Sequence, residues 1–188
     1  MWNQNILQNI DFSAPGHETF SDFEIICIDQ KKNGDEQEKR FRCHKIILYL
    51  SSTYYKNMFS GKFIENELGV TKVTDVSSKT MEKVLQYLYT CQFKKDDMDI
   101  DVLYAADKYG IGYLHSACEL ELATNLTTET ASDIALAANL CGSETFKSYV
   151  FGYVRKHWTQ LKDSGNTDLL NKNPSVLREV LDKTYSDK

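Results

Sequence analysis

Cysteine and histidine are the residues of this chain best able to do chemistry, and their spacing withholds it. Cys27, Cys43, Cys91, Cys118 and Cys141 are odd in number and widely spaced, with no Cys-x-x-Cys pair to seed a metal site or redox centre. They read as reduced, partly buried thiols. His44 has no second His, Cys or carboxylate at ligand spacing, so it reads as a structural histidine at the start of a helix. There is no Gly-x-Ser-x-Gly, no Walker or Rossmann glycine pattern and no His-Glu-x-x-His. The expectation is a protein that is not an enzyme and uses neither cofactor nor metal.

What remains is the chemistry of recognition. Phe63-Ile64-Glu65 places an aromatic ring two residues before a carboxylate. A ring so placed can fill an apolar groove on a partner, with the carboxylate supplying a charge-assisted, orienting hydrogen bond at the rim, but so short a motif also arises by chance. The competing local reading has Phe63 covering its own core and Glu65 solvated. Near the start of the chain, Trp2, Ile6, Leu7 and Ile10 form a short apolar stripe at helical spacing, which needs a partner: either another chain or its own domain.

The elements that would position these residues follow from the apolar rhythm. At 188 residues the chain suits one domain, or one domain with a packed helical annex. Its 41% hydrophobic and 26% charged content is that of a chain able to bury a core. A net charge of −5, a pI of about 5.4 and the lack of any Lys/Arg cluster exclude the footprint of a nucleic-acid binder. The first residues carry no basic n-region and no apolar run approaches the roughly 20 residues of a membrane helix, so the sequence reads as soluble and unexported. Asn125-Leu126-Thr127 matches the glycosylation sequon by chance on this reading.

Phe23 to Ile28 and Lys39 to Cys43 read as two strands of a hairpin around a polar turn containing Asn33-Gly34. A helix begins near His44, and the cluster Ser51-Ser52-Thr53 caps a second helix that ends at Ser60-Gly61. An acidic loop leads to a short strand, Val70 to Val73, after which Ser77 or Ser78 caps a helix bearing Met81, Val84, Leu85, Leu88 and Tyr89. Beyond Phe93 only helices are expected. One runs from about Ile100 to Tyr109 and is stopped by Gly110; others carry Ile111 to Leu122 and Ile134 to Leu140. The clearest, opened by Ser143, holds the rhythm for four turns from Phe146 through Tyr149, Tyr153 and His157 to Leu161. Asn173-Pro174 starts a last helix through Leu181.

The runs Phe20 to Ile25, Phe41-Arg42-Cys43-His44-Lys45 to Ser52, Tyr55 to Phe59, Val73 to Val76, Leu85 to Thr90 and Leu103 to Gly110 resemble the successive blocks of the BTB/POZ family. Cys118 to Leu126 and the helices beyond resemble the three-box and short BACK-like extension of the speckle-type POZ protein and its MATH-BTB relatives. The likeness covers roughly residues 20 to 182. Fewer than twenty residues precede the BTB-like block, which leaves no MATH substrate-reading domain in this chain, and no kelch repeat follows.

The resemblance implies an α/β (α+β) fold, a small, mainly three-stranded sheet covered by helices, followed by an all-helical extension. It divides the chain into a dimerisation segment at 1–19, a BTB/POZ domain at 20–124 and a helical extension at 125–188. It implies a homodimer that binds cullin-3 and links a ubiquitin ligase to substrate, in the nucleus or cytoplasm. Phe63, Glu65 and Tyr109 would face the cullin, with Tyr109 otherwise a core residue. Trp2, Ile6, Leu7 and Ile10, with the opposite charges Asp22 and Lys45 meeting near the two-fold axis, would form the dimer interface. The alternative is a dimeric or heterodimeric scaffold that recruits other BTB proteins or a corepressor and has no ligase role.

Overall fold

The structure, a computed structural model, describes residues 20–31 and 34–182. Strand β1 (Phe23–Gln30) and strand β2 (Glu36–Cys43) are antiparallel, registered from Phe23 opposite Cys43 to Gln30 opposite Glu36. Their turn closes with Lys31 and Asp35 hydrogen-bonded at 2.8 Å. Strand β3 (Val70–Val73) lies parallel to β1 on its other side, giving the order β2-β1-β3. Alternation along the strands turns Phe23, Ile25, Cys27, Phe41 and Cys43 into the core, where each large apolar side chain contributes about 1.5–3 kcal/mol.

Helix α1 (Lys45–Ser51) and helix α2 (Thr53–Ser60) bury Leu48, Tyr55 and Met58. Ser52 is the N-cap of α2, its hydroxyl accepting the Tyr55 N–H at 3.2 Å, as the Ser cluster predicts. The same hydroxyl donates to the Tyr109 carbonyl, so the cap also fixes a distant stretch of chain. The expected acidic loop contains instead a short helix, α3 (Ile64–Leu68). Helix α4 (Ser78–Thr90) is capped by Ser77 and buries Met81, Val84, Leu85, Leu88 and Tyr89.

Helix α5 (Ile100–Lys108) ends at Gly110, whose φ of +61° is left-handed. A Cβ there would also collide with the Thr53 hydroxyl, so the stop signal and the packing both require glycine. Next come α6 (Gly112–Thr124), α7 (Ala131–Cys141) and α8 (Glu144–Lys156), the last capped by Ser143. The chain continues with α9 (Trp158–Asp163), α10 (Asp168–Asn171) and α11 (Pro174–Leu181). Together the small sheet and its helices form the expected α+β fold with a helical extension.

The four-turn helix expected from Phe146 to Leu161 is two helices broken at His157 (φ −106°, ψ 18°). The His157 ring stacks on Tyr153 at 4.2 Å between centroids, and its Nδ1 lies 3.1 Å from the Tyr153 carbonyl, beside the helix hydrogen bonds at the break. Apolar rhythm continues across the break and conceals it. Tyr149, placed on the inward side by that rhythm, is exposed, whereas Phe151 is buried. Asn173 does not cap α11 with its side chain; its amide donates to the Leu169 carbonyl at 2.9 Å.

Two compact units divide the chain: residues up to 97 with 105–114, and residues 98–104 with those from 115 onward. The family resemblance places its boundaries after residues 19 and 124. In the first unit, the sheet packs with α1 to α4. In the second, Glu119 of α6 accepts the Ser143 N–H and hydroxyl, tying α6 to the start of α8. There α7 packs on α8, and α7 buries Ala131, Ala135 and Ala138. Lys147, buried on α8, pairs with Glu179 on α11.

Candidate protein-interaction surface

The segment from Gly61 to Gly69 in the first unit carries the Phe63-Ile64-Glu65 motif. Its helix α3 has no buried residue. Phe63 is 53% exposed, Ile64 64% and Leu68 66%, with Ile64 and Leu68 one turn apart on the same face. An all-exposed apolar turn gains nothing from its own domain's core. Glu65 is half-buried. The Phe63 ring lies against Gly61, where a Cβ would come within 2.6 Å of it, so any larger residue at 61 displaces the ring.

Behind this segment stands a group of aromatic rings. Tyr55 and Tyr109 are stacked at 5.4 Å and 3° between planes, and Tyr54 meets both edge-on at 5.3 and 5.2 Å. Phe59 and Phe23 extend the group, 4.9 Å apart. Edge-on and offset contacts of this kind are favourable beyond the area they bury. Tyr109, the ring expected to face a partner, is 1% exposed and belongs to the core. It follows the last residue of α5, and the sequence alone cannot say whether a tyrosine there ends in a partner or in its own core.

Tyr54, which the sequence reading passed over, is the ring of this group that reaches the surface. Burial, then the negative charges of Glu65 and Asp75, push its hydroxyl above the usual tyrosine range. The signal available in the sequence was the Tyr54-Tyr55 pair, one ring turned outward and the next inward on α2.

Within one chain, the Asp22 and Lys45 side chains do not pair with each other. The exposed Asp22 carboxylate accepts the backbone N–H of Lys45 at 2.7 Å, satisfying one of the free donors at the start of α1. The Lys45 ammonium turns instead to Asn66, donating to its carbonyl at 2.8 Å and its side-chain oxygen at 3.0 Å. These two described residues form no ion pair, because the helix start claims the carboxylate and α3 claims the ammonium. His44 is structural, its N–H donating to the Tyr89 hydroxyl at 2.9 Å. Trp2, Ile6, Leu7 and Ile10 lie outside the described residues.

A second exposed apolar face lies on α1, where Ile46 is 62% and Leu50 75% exposed, one turn apart. Leu48 is the buried residue of this helix, so the seating of α1 separates its inner side from the outer one. Among the described residues no group of three or more His, Cys, Asp or Glu side chains is placed to hold a metal ion.

The small sheet with a parallel third strand, its helical cover and the two exposed apolar turns are the anatomy of a recognition module. A family model described as BTB/POZ domain matches residues 15–126, more than half the chain. The chain belongs to the BTB/POZ domain family. BTB/POZ domains are protein-interaction domains, not enzymes, and the surfaces of this one are to be read as contacts. TD and POZ domain-containing protein 5 of Mus musculus is 32% identical over 120 residues, 62% of this chain and 35% of that protein. TD and POZ domain-containing protein 2 of Mus musculus is 27% identical over 142 residues, 73% of this chain and 39% of that protein. The chain thus matches well under half the length of these curated relatives. The matches carry the BTB/POZ assignment and stop short of the speckle-type branch indicated by the sequence resemblance.

Proposed function

We propose that this BTB/POZ module is a dimeric adaptor that binds cullin-3 through the Phe63–Leu68 turn and links a ubiquitin ligase to substrate, in the manner of speckle-type POZ proteins. The observation that carries the reading is α3, a helix with no buried residue that holds Phe63, Ile64 and Leu68 outward. Exposed apolar side chains gathered on one turn are a cost to a lone domain and an anchor to a partner. Glu65 supplies the orienting carboxylate at the rim, Tyr54 a second ring, and Tyr109 supports Tyr54 from the core. Helices α7 to α11 take the place of the three-box and partial BACK extension.

Dimerisation is assigned to α1 and to the N-terminal stripe. Ile46 and Leu50 support it as an apolar pair with no cover from their own unit. The same face supports the second reading, a dimeric or heterodimeric BTB scaffold that recruits a corepressor and has no ligase role.

Titration of purified chain with a cullin-3 N-terminal fragment separates the two. The adaptor reading expects sub-micromolar binding, about −8 kcal/mol or better, reduced at least tenfold by Phe63→Ala with Glu65→Ala. Millimolar binding, or binding untouched by that double substitution, leaves the scaffold.

A further inference from the structure

Helix α3 poses a physical problem that its own sequence does not solve. A five-residue helix is far too short to persist alone, and this one has no side-chain N-cap and no buried residue. At its N-terminal boundary Phe63 rests its ring on Gly61, and its carbonyl accepts the Asn66 N–H at 3.1 Å and the Glu67 N–H at 3.4 Å, bonds that stay within the turn. Past its C-terminal end the chain is secured, since Glu24 donates its N–H to the Gly69 carbonyl at 2.8 Å where β3 begins. Within the turn, one side chain reaches the body of the unit from both of its ends.

That side chain is Asn66. Its amide nitrogen donates to the Phe59 carbonyl at 3.0 Å, satisfying an acceptor in the last turn of α2. Its amide oxygen and its backbone carbonyl both accept from the Lys45 ammonium. The donor and acceptor ends of the amide are thus each used once, in the only orientation the two neighbours allow. Lys45 is itself held: its ammonium lies 5.9 Å from the Phe23 ring centre and 5.6 Å from that of Phe59, within the range of cation–π attraction. The Asp22 carboxylate fixes the backbone of the same lysine. A chain of contacts therefore runs from the sheet and the aromatic group, through Lys45 and Asn66, to the turn that bears Phe63 and Glu65.

We infer that Asn66 and Lys45 are positioning residues that hold the Phe63–Leu68 turn in its docking geometry, so that they govern partner affinity without touching the partner themselves. The inference rests on the docking reading given above and extends it to the residues that preorganise the surface. Order imposed before binding does not have to be imposed by it, and that difference appears as affinity.

The test uses the whole chain with Asn66→Ala, Lys45→Met and both together. Methionine keeps an apolar stem against Phe23 and Phe59 and removes the ammonium together with its hydrogen bonds to Asn66. Amide hydrogen exchange across residues 64–68 is expected to accelerate about tenfold or more in each variant, with β1 amides unchanged as the control for folding. Affinity for the cullin-3 N-terminal fragment is expected to fall about tenfold. In a Phe63→Ala background the further loss from Asn66→Ala shrinks below threefold, because a displaced turn has no ring left to misplace; a merely structural role predicts the same loss in both backgrounds. Unchanged exchange across 64–68, or equal affinity of Asn66→Ala and the parent, overturns the inference. No fragment binding by the parent chain overturns the docking reading and the positioning role with it, a result distinguishable because it precedes any substitution.

Discussion

The Asp22 carboxylate sits 2.7 Å from the backbone nitrogen of Lys45 and caps the helix that this lysine begins. The lysine's own charge is spent elsewhere, on Asn66. One residue thus receives a carboxylate at its backbone and delivers an ammonium at its tip, joining the start of β1, the start of α1 and the turn at α3. The pairing of opposite charges in sequence terms becomes, in space, two separate bonds with separate consequences.

The first consequence is measurable at Asp22. Asp22→Ala is expected to lower stability by about 1 kcal/mol, the usual loss for a removed cap. Asp22→Asn keeps an acceptor oxygen at the same place and is expected to cost less than half as much. Urea denaturation of the three proteins checks this, and equal losses for Ala and Asn would show that charge rather than capping holds the helix.

The stacked pair behind the surface gives an asymmetric prediction. The Tyr55 hydroxyl is fully buried and has no hydrogen-bond partner among the described residues. Burying it unpaired costs free energy that Phe does not incur, so Tyr55→Phe is expected to be neutral or to stabilise by about 1 kcal/mol. Tyr109→Ala removes a 1%-exposed ring from the same stack and is expected to cost about 3–5 kcal/mol. Thermal melts of both variants decide it; a marked loss in Tyr55→Phe would reveal that the hydroxyl is satisfied.

How far the fold could be read from the residues depends on which force makes each element. Strands and helix starts with their own local chemistry were legible: the hairpin, Val70 to Val73, and the serine caps at Ser52, Ser77 and Ser143. Helix α3 was not, because Ile64-Glu65-Asn66-Glu67-Leu68 has no cap and no inward face, and what holds it comes from Lys45, twenty-one residues away. The break at His157 was hidden by an apolar rhythm that runs through it. Of the residues expected to meet a partner, Phe63 and Glu65 stand out through the family resemblance, whereas the inward turn of Tyr109 and the outward turn of Tyr54 depend on packing between helices, which spacing does not encode.

Buried thiols give the chain a defined alkaline limit. Burial first, and then Asp29, push the Cys27 thiol up to about 12. Cys43 is raised as well, by burial and then by Cys27 and Asp22. A thiol that holds its proton more tightly when folded contributes stability that is complete below its unfolded pKa, near 8.5, and is lost as pH rises through the folded value. Stability is therefore expected to be flat to about pH 8.5 and to fall above it, by up to about 1.4 kcal/mol per pH unit for each thiol. Urea midpoints at pH 8 and 10.5 measure the drop, and replacing both cysteines by alanine should reduce it, the raised Tyr55 and Tyr89 hydroxyls keeping a smaller fall near pH 10.5. A parent chain equally stable at both values would refute the assignment. At pH 8 a disulfide reagent should label exposed Cys91 quickly and the other four thiols only on unfolding.

The last prediction concerns α1. Ile46 and Leu50 are 62% and 75% exposed and one helical turn apart, so each can be made charged without disturbing the core of its own unit. If they belonged to a solvated surface, Ile46→Asp with Leu50→Asp would change neither stability nor association beyond about 0.5 kcal/mol. If they are the contact between copies, the same pair places four carboxylates across the two-fold axis, where desolvation and like-charge repulsion act together. Light scattering during size-exclusion chromatography is expected to give twice the chain mass for the parent and the chain mass for the variant, with circular dichroism unchanged. A monomeric parent, or a variant that remains paired, removes α1 from the interface. It would leave the N-terminal stripe to be tested alone by Ile6→Asp with Ile10→Asp.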